Sequence, residues 1–166
     1  MKKTQTLCLA GILCTLALVS MVLALVFGRT HTQSSSFTPP PFDSSAESGT
    51  PEVPEELGWT EIYQDGMAFK CSICGNVIAS GGAADVYFTN SSEQEVWLKL
   101  RVLDEDGNII GETGLVKPGE YVKSVSIDKD ISDGSSIKLK IMAYEPQTYY
   151  SAGAVTLNTQ IRKEAA

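Results

Sequence analysis

Histidine is almost missing from this chain: there is one, His31, in 166 residues. It stands in a polar stretch ahead of any segment patterned like a folded core. Ser-His-Asp and Cys-His catalysis, and metal sites built on several histidines, are therefore excluded from the folded part. Cysteine is scarce too: of four in the chain, Cys8 and Cys14 fall in an apolar N-terminal run, which leaves Cys71 and Cys74. Helical periodicity is also lacking, since beyond residue 56 no stretch repeats its apolar residues at a 3.6 spacing over about ten positions. Basic charge is thin. All twenty carboxylates follow Arg29, but only ten of the thirteen basic residues do. A surface that acidic is repelled by nucleic-acid phosphates, so nucleic acid is excluded as a partner and basic or neutral partners are favoured.

The N-terminus is different. After Lys2 and Lys3 comes "LCLAGILCTLALVSMVLALVF", residues 7–27, with no charged or amide side chain. At about 1.5 Å per residue a helix over this run spans roughly 31 Å, close to the hydrocarbon thickness of a bilayer. It is longer than the apolar core of a cleaved signal sequence, and Val26-Phe27-Gly28 is a poor cleavage site, although removal is the alternative. Residues 1–28 thus read as a cytoplasmic tip and transmembrane anchor. The basic tip keeps the N-terminus in the cytoplasm and places the rest outside, a single-pass arrangement at the cell membrane. Residues 29–56, rich in Ser, Thr, Pro and Glu, bury too little apolar surface to order themselves and read as a disordered stalk. Residues 57–163 read as one domain and 164–166 as a short tail.

Within the domain the apolar residues alternate. Val96, Leu98, Leu100 and Val102 fall on one side of "VWLKLRVL", with Trp97, Lys99 and Arg101 on the other. Ile137, Leu139, Ile141 and Ala143 oppose Lys138 and Lys140; Val155, Leu157 and Ile161 oppose Thr156, Asn158 and Gln160; Ala84, Val86 and Phe88 make a fourth set. A period of two with one solvated face predicts antiparallel strands over a single core. Shorter strands are expected at Met67–Lys70, Val77–Ala79, Ile109–Gly111 and Tyr121–Ile127. Turn signals separate them: Asp104–Asn108, Pro118-Gly119 as the centre of a type II turn, Asp133-Gly134, and Glu145–Thr148. The expected fold is all-β, an antiparallel β-sandwich of Ig-like plan.

"FTN" at 88–90, "VWLKLRVLDEDGNIIGETGLVKPGEYVKSV" at 96–125 and "KLKIMAYEPQTYYSAGAVTLNT" at 138–159 resemble a group of small membrane-anchored surface proteins of Gram-positive, gut-type bacteria, some associated with mobile elements. The shared marks are the turn Gly114-Leu115-Val116-Lys117-Pro118-Gly119 and the loop Ala143-Tyr144-Glu145-Pro146-Gln147-Thr148. The resemblance implies a β-sandwich, a surface location and a bacterial source. It brings no catalytic residues.

The candidate sites are few. Cys71 and Cys74 in "FKCSICGN" have the spacing of half a zinc knuckle or of a redox pair. Zinc needs four ligands, so a metal here would require another chain or carboxylates. A thioredoxin-like pair needs a helix N-terminus behind its first sulfur, and Gly75-Asn76-Val77-Ile78 reads as turn and strand instead. An inert or structural pair, an exchangeable disulfide and a shared metal site all stay open. In an extended strand the two sulfurs point to opposite faces, so they pair only if the segment is a turn. The acidic loops at Asp104 and Asp128 lack the glycine and glutamate positions of an EF-hand, and Asn90-Ser91-Ser92 matters as a glycosylation acceptor only in a eukaryotic secretory route. Trp97, Met142 and Tyr144 on outward strand faces, with Tyr149 and Tyr150 in the next loop, form an expected interaction surface.

The expectation is a membrane-tethered, non-enzymatic module without a cofactor, binding a protein or cell-wall component or holding an envelope complex together. The alternative is a tethered thiol protein using Cys71 and Cys74 for redox or metal binding.

Overall fold

A computed structural model of the chain describes residues 37–63, 65–128 and 131–163. The expected anchor at 7–27, the first part of the stalk and His31 lie outside them. Among the described residues no helix is long and apolar enough to cross a membrane. The chain divides into two units, residues 1–38 and 39–166, and every described strand belongs to the second.

This second unit is all-β. Strands β1 (Glu47–Ser48), β2 (Trp59–Ile62), β3 (Cys71–Cys74), β4 (Val77–Ser80), β5 (Ala83–Asn90), β6 (Trp97–Leu103), β7 (Ile109–Glu112), β8 (Glu120–Ser126), β9 (Ser136–Tyr144) and β10 (Ser151–Lys163) succeed one another, with a 3₁₀ turn at Glu55–Leu57. They make one curled sheet in the order β1-β8-β5-β4-β10-β9-β6-β7, with β3 also on β5 and β2 on β3. The pairing is mixed, not antiparallel throughout, because Ile161–Lys163 of β10 run parallel to Val77–Ala79. Earlier in the same strand Ser151–Gln160 pair antiparallel with β9, so β10 belongs to both arms of the curl.

The arms face each other across one core. Val86, Phe88, Val122 and Val125 from one arm pack with Leu98, Leu100, Leu139 and Ile141 from the other. The four alternating sets all point inward; Val155 and Leu157 are only half-buried. Removing any one fully buried Leu of this set leaves a cavity worth about 2–5 kcal/mol. At the far end the curl nearly closes, with the Asp128 amide donating to Ile110 O at 2.9 Å.

Two further expectations are corrected. Met67–Lys70 is not a strand: its backbone is irregular, with the Lys70 amide donating to Gln94 Oε1 and Lys70 O accepting from Gln94 Nε2, each at 2.7 Å. The larger correction concerns the stalk, whose second half is built into the fold. Leu115 N donates to Pro41 O at 2.8 Å, Asp43 N to Leu115 O at 2.9 Å, and Gly49 N to Gly119 O at 2.8 Å. Asp43 Oδ2 accepts from Gly114 N at 2.7 Å, and Tyr121 Oη donates to Glu47 at 2.7 Å. Low apolar content misled because this strap is held by backbone bonds to a neighbour rather than by its own hydrophobic face. The folded unit starts at Pro39, not Leu57.

The turns hold as expected. Glu120 N donates to Lys117 O at 3.1 Å with Gly119 at φ 76°, the type II arrangement. Gly114 answers a different need: a Cβ there would stand 2.5 Å from Asp43 N. Gly114→Ala should push the strap off its neighbour and cost about 1–3 kcal/mol, read as a lower denaturant midpoint. A fragment beginning at Leu57 should lose at least as much. Equal midpoints for the variant and the parent would show that the strap is not docked in solution.

One buried amide links the arms. Asn90, with no exposed surface, donates through Nδ2 to Val96 O and to Val116 O, both at 2.9 Å. Its Oδ1 accepts from Gln94 Nε2, and its backbone carbonyl accepts from Gly119 N at 3.0 Å. Burial also keeps this Asn out of reach of any glycosylating enzyme in the folded state. Asn90→Ala strands buried carbonyls at a cost of about 1–3 kcal/mol each, so chemical denaturation should show a loss of about 3 kcal/mol. A loss below about 1 kcal/mol would mean that water replaces the amide.

Candidate functional site

The outward face of β6 and β9 sets the expected aromatic residues side by side. Register pairs Trp97 with Tyr144, Lys99 with Met142, and Arg101 with Lys140. Tyr144 Oη lies 3.8 Å from Met142 Sδ, and both residues are half-buried. Trp97 was expected to be exposed; it is half-covered, because Phe42 of the strap meets it edge to face at 4.9 Å and 78°, and Tyr149 leans on it at 5.3 Å and 60°. Lys117 Nζ stands 4.6 Å over the Phe42 ring, within cation–π range. Tyr150 points into solvent, 72% exposed.

The loop that carries the two tyrosines is strained. Gln147 has φ 67° and Tyr149 φ 57°, a left-handed backbone that costs a side-chain-bearing residue roughly 1–2 kcal/mol. Hydrogen bonds hold it there: Tyr149 N to Glu145 O at 3.0 Å, Glu145 N to Tyr150 O at 2.8 Å and Thr148 N to Pro146 O at 2.7 Å. Strain maintained in this way turns one tyrosine inward onto Trp97 and the next outward. The result is a rigid aromatic patch with one projecting ring.

Beside the patch two cations share one carboxylate. Lys99, only 6% exposed, reaches Glu112 Oε1 at 2.9 Å, and Arg101 Nε reaches Glu112 Oε2 at 2.9 Å. Partial burial works against the Glu112 charge, but hydrogen bonds from Lys99 and Arg101 outweigh it and hold the carboxyl below its usual range. The expected outward placement of Lys99 is correct in direction, while its exposure is not.

Cys71 and Cys74 are the first and last residues of β3, and both are buried free thiols. Cys71 belongs to the main core, with Phe69 and Ile73. Cys74 belongs to a small cluster with Leu57 and Tyr87, covered by Val53, Trp59 and Ile78. A spacing of three along a strand sends the sulfurs to opposite sides of the sheet, so they cannot join without dismantling β3. Burial pushes both thiols up to about 12, helped by Glu61 for Cys71 and by Asp85 for Cys74. Near neutral pH such thiols are poor nucleophiles and poor metal ligands.

Among the described residues no three His, Cys, Asp or Glu side chains gather to hold a metal. Asp104 instead closes its own turn, accepting from Asn108 N at 2.9 Å and from Asn108 Nδ2 at 3.2 Å. The residues that sequence reasoning missed are Phe42 and Lys117. The one available signal was a large aromatic, Phe42, directly after Pro39-Pro40-Pro41 in an otherwise polar stretch. Compared with known proteins, the chain matches no family model, no curated protein and no solved structure.

The thiols yield a direct measurement. A fragment from Pro39 should give no rapid reaction with a disulfide reagent at about pH 8 and two reactive thiols after unfolding. Because both folded values lie above the ordinary value of 9, the stability they contribute is complete below pH 9 and is lost as pH rises toward 12. A Cys71→Ala, Cys74→Ala variant should therefore lose stability less steeply over that alkaline range. A fast-reacting thiol in the native fragment would contradict the buried placement.

Proposed function

We propose that this chain is a membrane-tethered, extracytoplasmic β-sandwich module, Ig-like in plan. It acts by binding a protein or cell-wall component, without catalysis, through the aromatic patch at the 145–150 loop. The observation that carries this reading is the Phe42–Trp97–Tyr149 stack, with Tyr150 projecting from a loop whose strained backbone keeps it there. Tyrosine and tryptophan supply large contact area at little conformational cost and dominate binding energy where they occur. Strained backbone that surrounding bonds maintain is more often kept for recognition than for stability. The apolar run at 7–27 supports the tether, and the resemblance to anchored surface proteins of Gram-positive bacteria supports a cell-envelope partner.

The test uses a fragment from Pro39 applied to purified cell walls and to solubilised envelope proteins. Tyr150→Ala should weaken retention about thirtyfold, the equivalent of roughly 2 kcal/mol, and leave the thermal midpoint within about 2 °C. Trp97→Ala should weaken binding and stability together, since it also removes the seat of Phe42. Undiminished retention of Tyr150→Ala on every envelope fraction that holds the parent would sink the assignment of this patch.

A further inference from the structure

Acid and base are not mixed evenly over this unit. The chain holds twenty carboxylates, yet β6, β9 and β10 contain no Asp or Glu. They carry instead Lys99, Arg101, Lys138, Lys140, Arg162 and Lys163, and they lie side by side in the sheet. Ladder register arranges their outward residues in rows. Arg101 stands opposite Lys140, and Lys140 opposite Thr156. Along β9 from there, Lys138 stands opposite Asn158 and Ser136 opposite Gln160. Thr156, Asn158 and Gln160 are exposed, whereas Arg101, Lys138 and Lys140 are half-buried.

Two cations directly across a ladder repel each other, so the Arg101–Lys140 pair costs the fold stability. Glu112 is already shared by Lys99 and Arg101, and Lys138 Nζ donates to Glu105 O at 3.1 Å. Lys140 has no carboxylate partner among the described residues. A surface kept only for solubility mixes its signs; this face does not. The net charge of the unit favours basic or neutral partners, but the face reverses that sign locally. At physiological ionic strength a charge is felt over about 8 Å, so a group docked here meets these cations first, with Glu105 and Glu112 at the border.

At the Lys138 end the face sinks into an open depression of about 390 Å³ lined by Ser136, Lys138, Asn158 and Gln160, with Glu105 on its wall. At the other end it meets Met142 and Tyr144. We propose that this face binds a glycan that carries carboxylates, a chain of the uronic-acid type. Its carboxylates lie on Arg101 and Lys140, through charge-assisted hydrogen bonds. Its hydroxyls lie on Thr156, Asn158 and Gln160, whose side chains both donate and accept as sugar hydroxyls do. An acidic peptide is served less well, because bound peptides use a sheet edge or apolar pockets, and this face is polar. Sparse charge also suits the unit's net acidity, which still turns away a polymer as densely charged as nucleic acid. The inference rests on the binding role proposed above but on other residues, so either can fail alone.

The test passes the full chain, in neutral detergent micelles, over immobilised polygalacturonate, its methyl ester, polyglutamate and polyphosphate. Polygalacturonate should retain the chain at least about tenfold more strongly than the ester, which keeps the rings and lacks the charge, and more strongly than the other two polyanions. Lys140→Gln should weaken retention about tenfold and Asn158→Ala about threefold. The thermal midpoint of Lys140→Gln should stay within about 2 °C of the parent or rise, since a like-charge pair is removed. Lys123→Gln on β8 makes the same change in net charge and should leave retention unaltered. Absence of retention on polygalacturonate, equal retention on the ester, or an equal loss from Lys123→Gln would overturn the proposal. So would polyglutamate held as tightly, which would mean an acidic peptide, or polyphosphate held as tightly, which would mean attraction of any anion. Tyr150→Ala separates the two readings on polygalacturonate. Loss from Lys140→Gln alone leaves this face standing without the 145–150 patch, and loss from Tyr150→Ala alone leaves the patch and removes this proposal.

Discussion

The buried amide of Asn90 is the constraint on which the rest of the molecule depends. β5 and β6 belong to opposite arms of the curl, and the segment from Val116 to Gly119 must pass beside both. Two carbonyls, the partly buried Val96 O just ahead of β6 and the buried Val116 O, turn toward Asn90. A buried carbonyl without a donor is costly, so the arms meet at this end only if something donates to both. Asn90 does, and Gln94 carries the network on to Lys70. The hydrophobic core fills the space between the arms, whereas the amide fixes how they are joined.

From that junction the aromatic face is set. β6 begins just past the Asn90 network, which sets the register that places Trp97 opposite Tyr144. The turn beyond Val116 presents Lys117 to the Phe42 ring. On the same face Lys99 and Arg101 share Glu112, and burying Lys99 is tolerable only because that carboxylate is 2.9 Å away. The patch is therefore apolar at one end and carries a net positive charge at the other, where two cations share Glu112 and Lys140 stands beside Arg101.

What could be read from the sequence was whatever depends on local period. Leu98, Leu100, Val102 and their counterparts on β9 alternate because a pleated strand alternates, and no tertiary information is needed to see it. The geometry that separates Cys71 from Cys74 was legible for the same reason, once the segment was taken as a strand. Other features rest on contacts distant in sequence. The 39–56 strap has no period because it is held by backbone bonds to residues about seventy positions later, which composition does not encode. Trp97 faces outward as its position demands, yet its cover comes from Phe42, and pattern alone does not reveal that. The parallel stretch of β10 on β4 escaped for a related reason: alternation reports faces, not the direction of the neighbour.

The strap has a mechanical side. Any tension transmitted along the chain from residues before Pro39 arrives first at Pro41 and Asp43, whose bonds to Leu115 stand between the pull and the core. These few bonds are separate from the ladders of the core, and Phe42 leaves with them when they part. Release of the strap thus unroofs Trp97 while the core behind it keeps its own ladders.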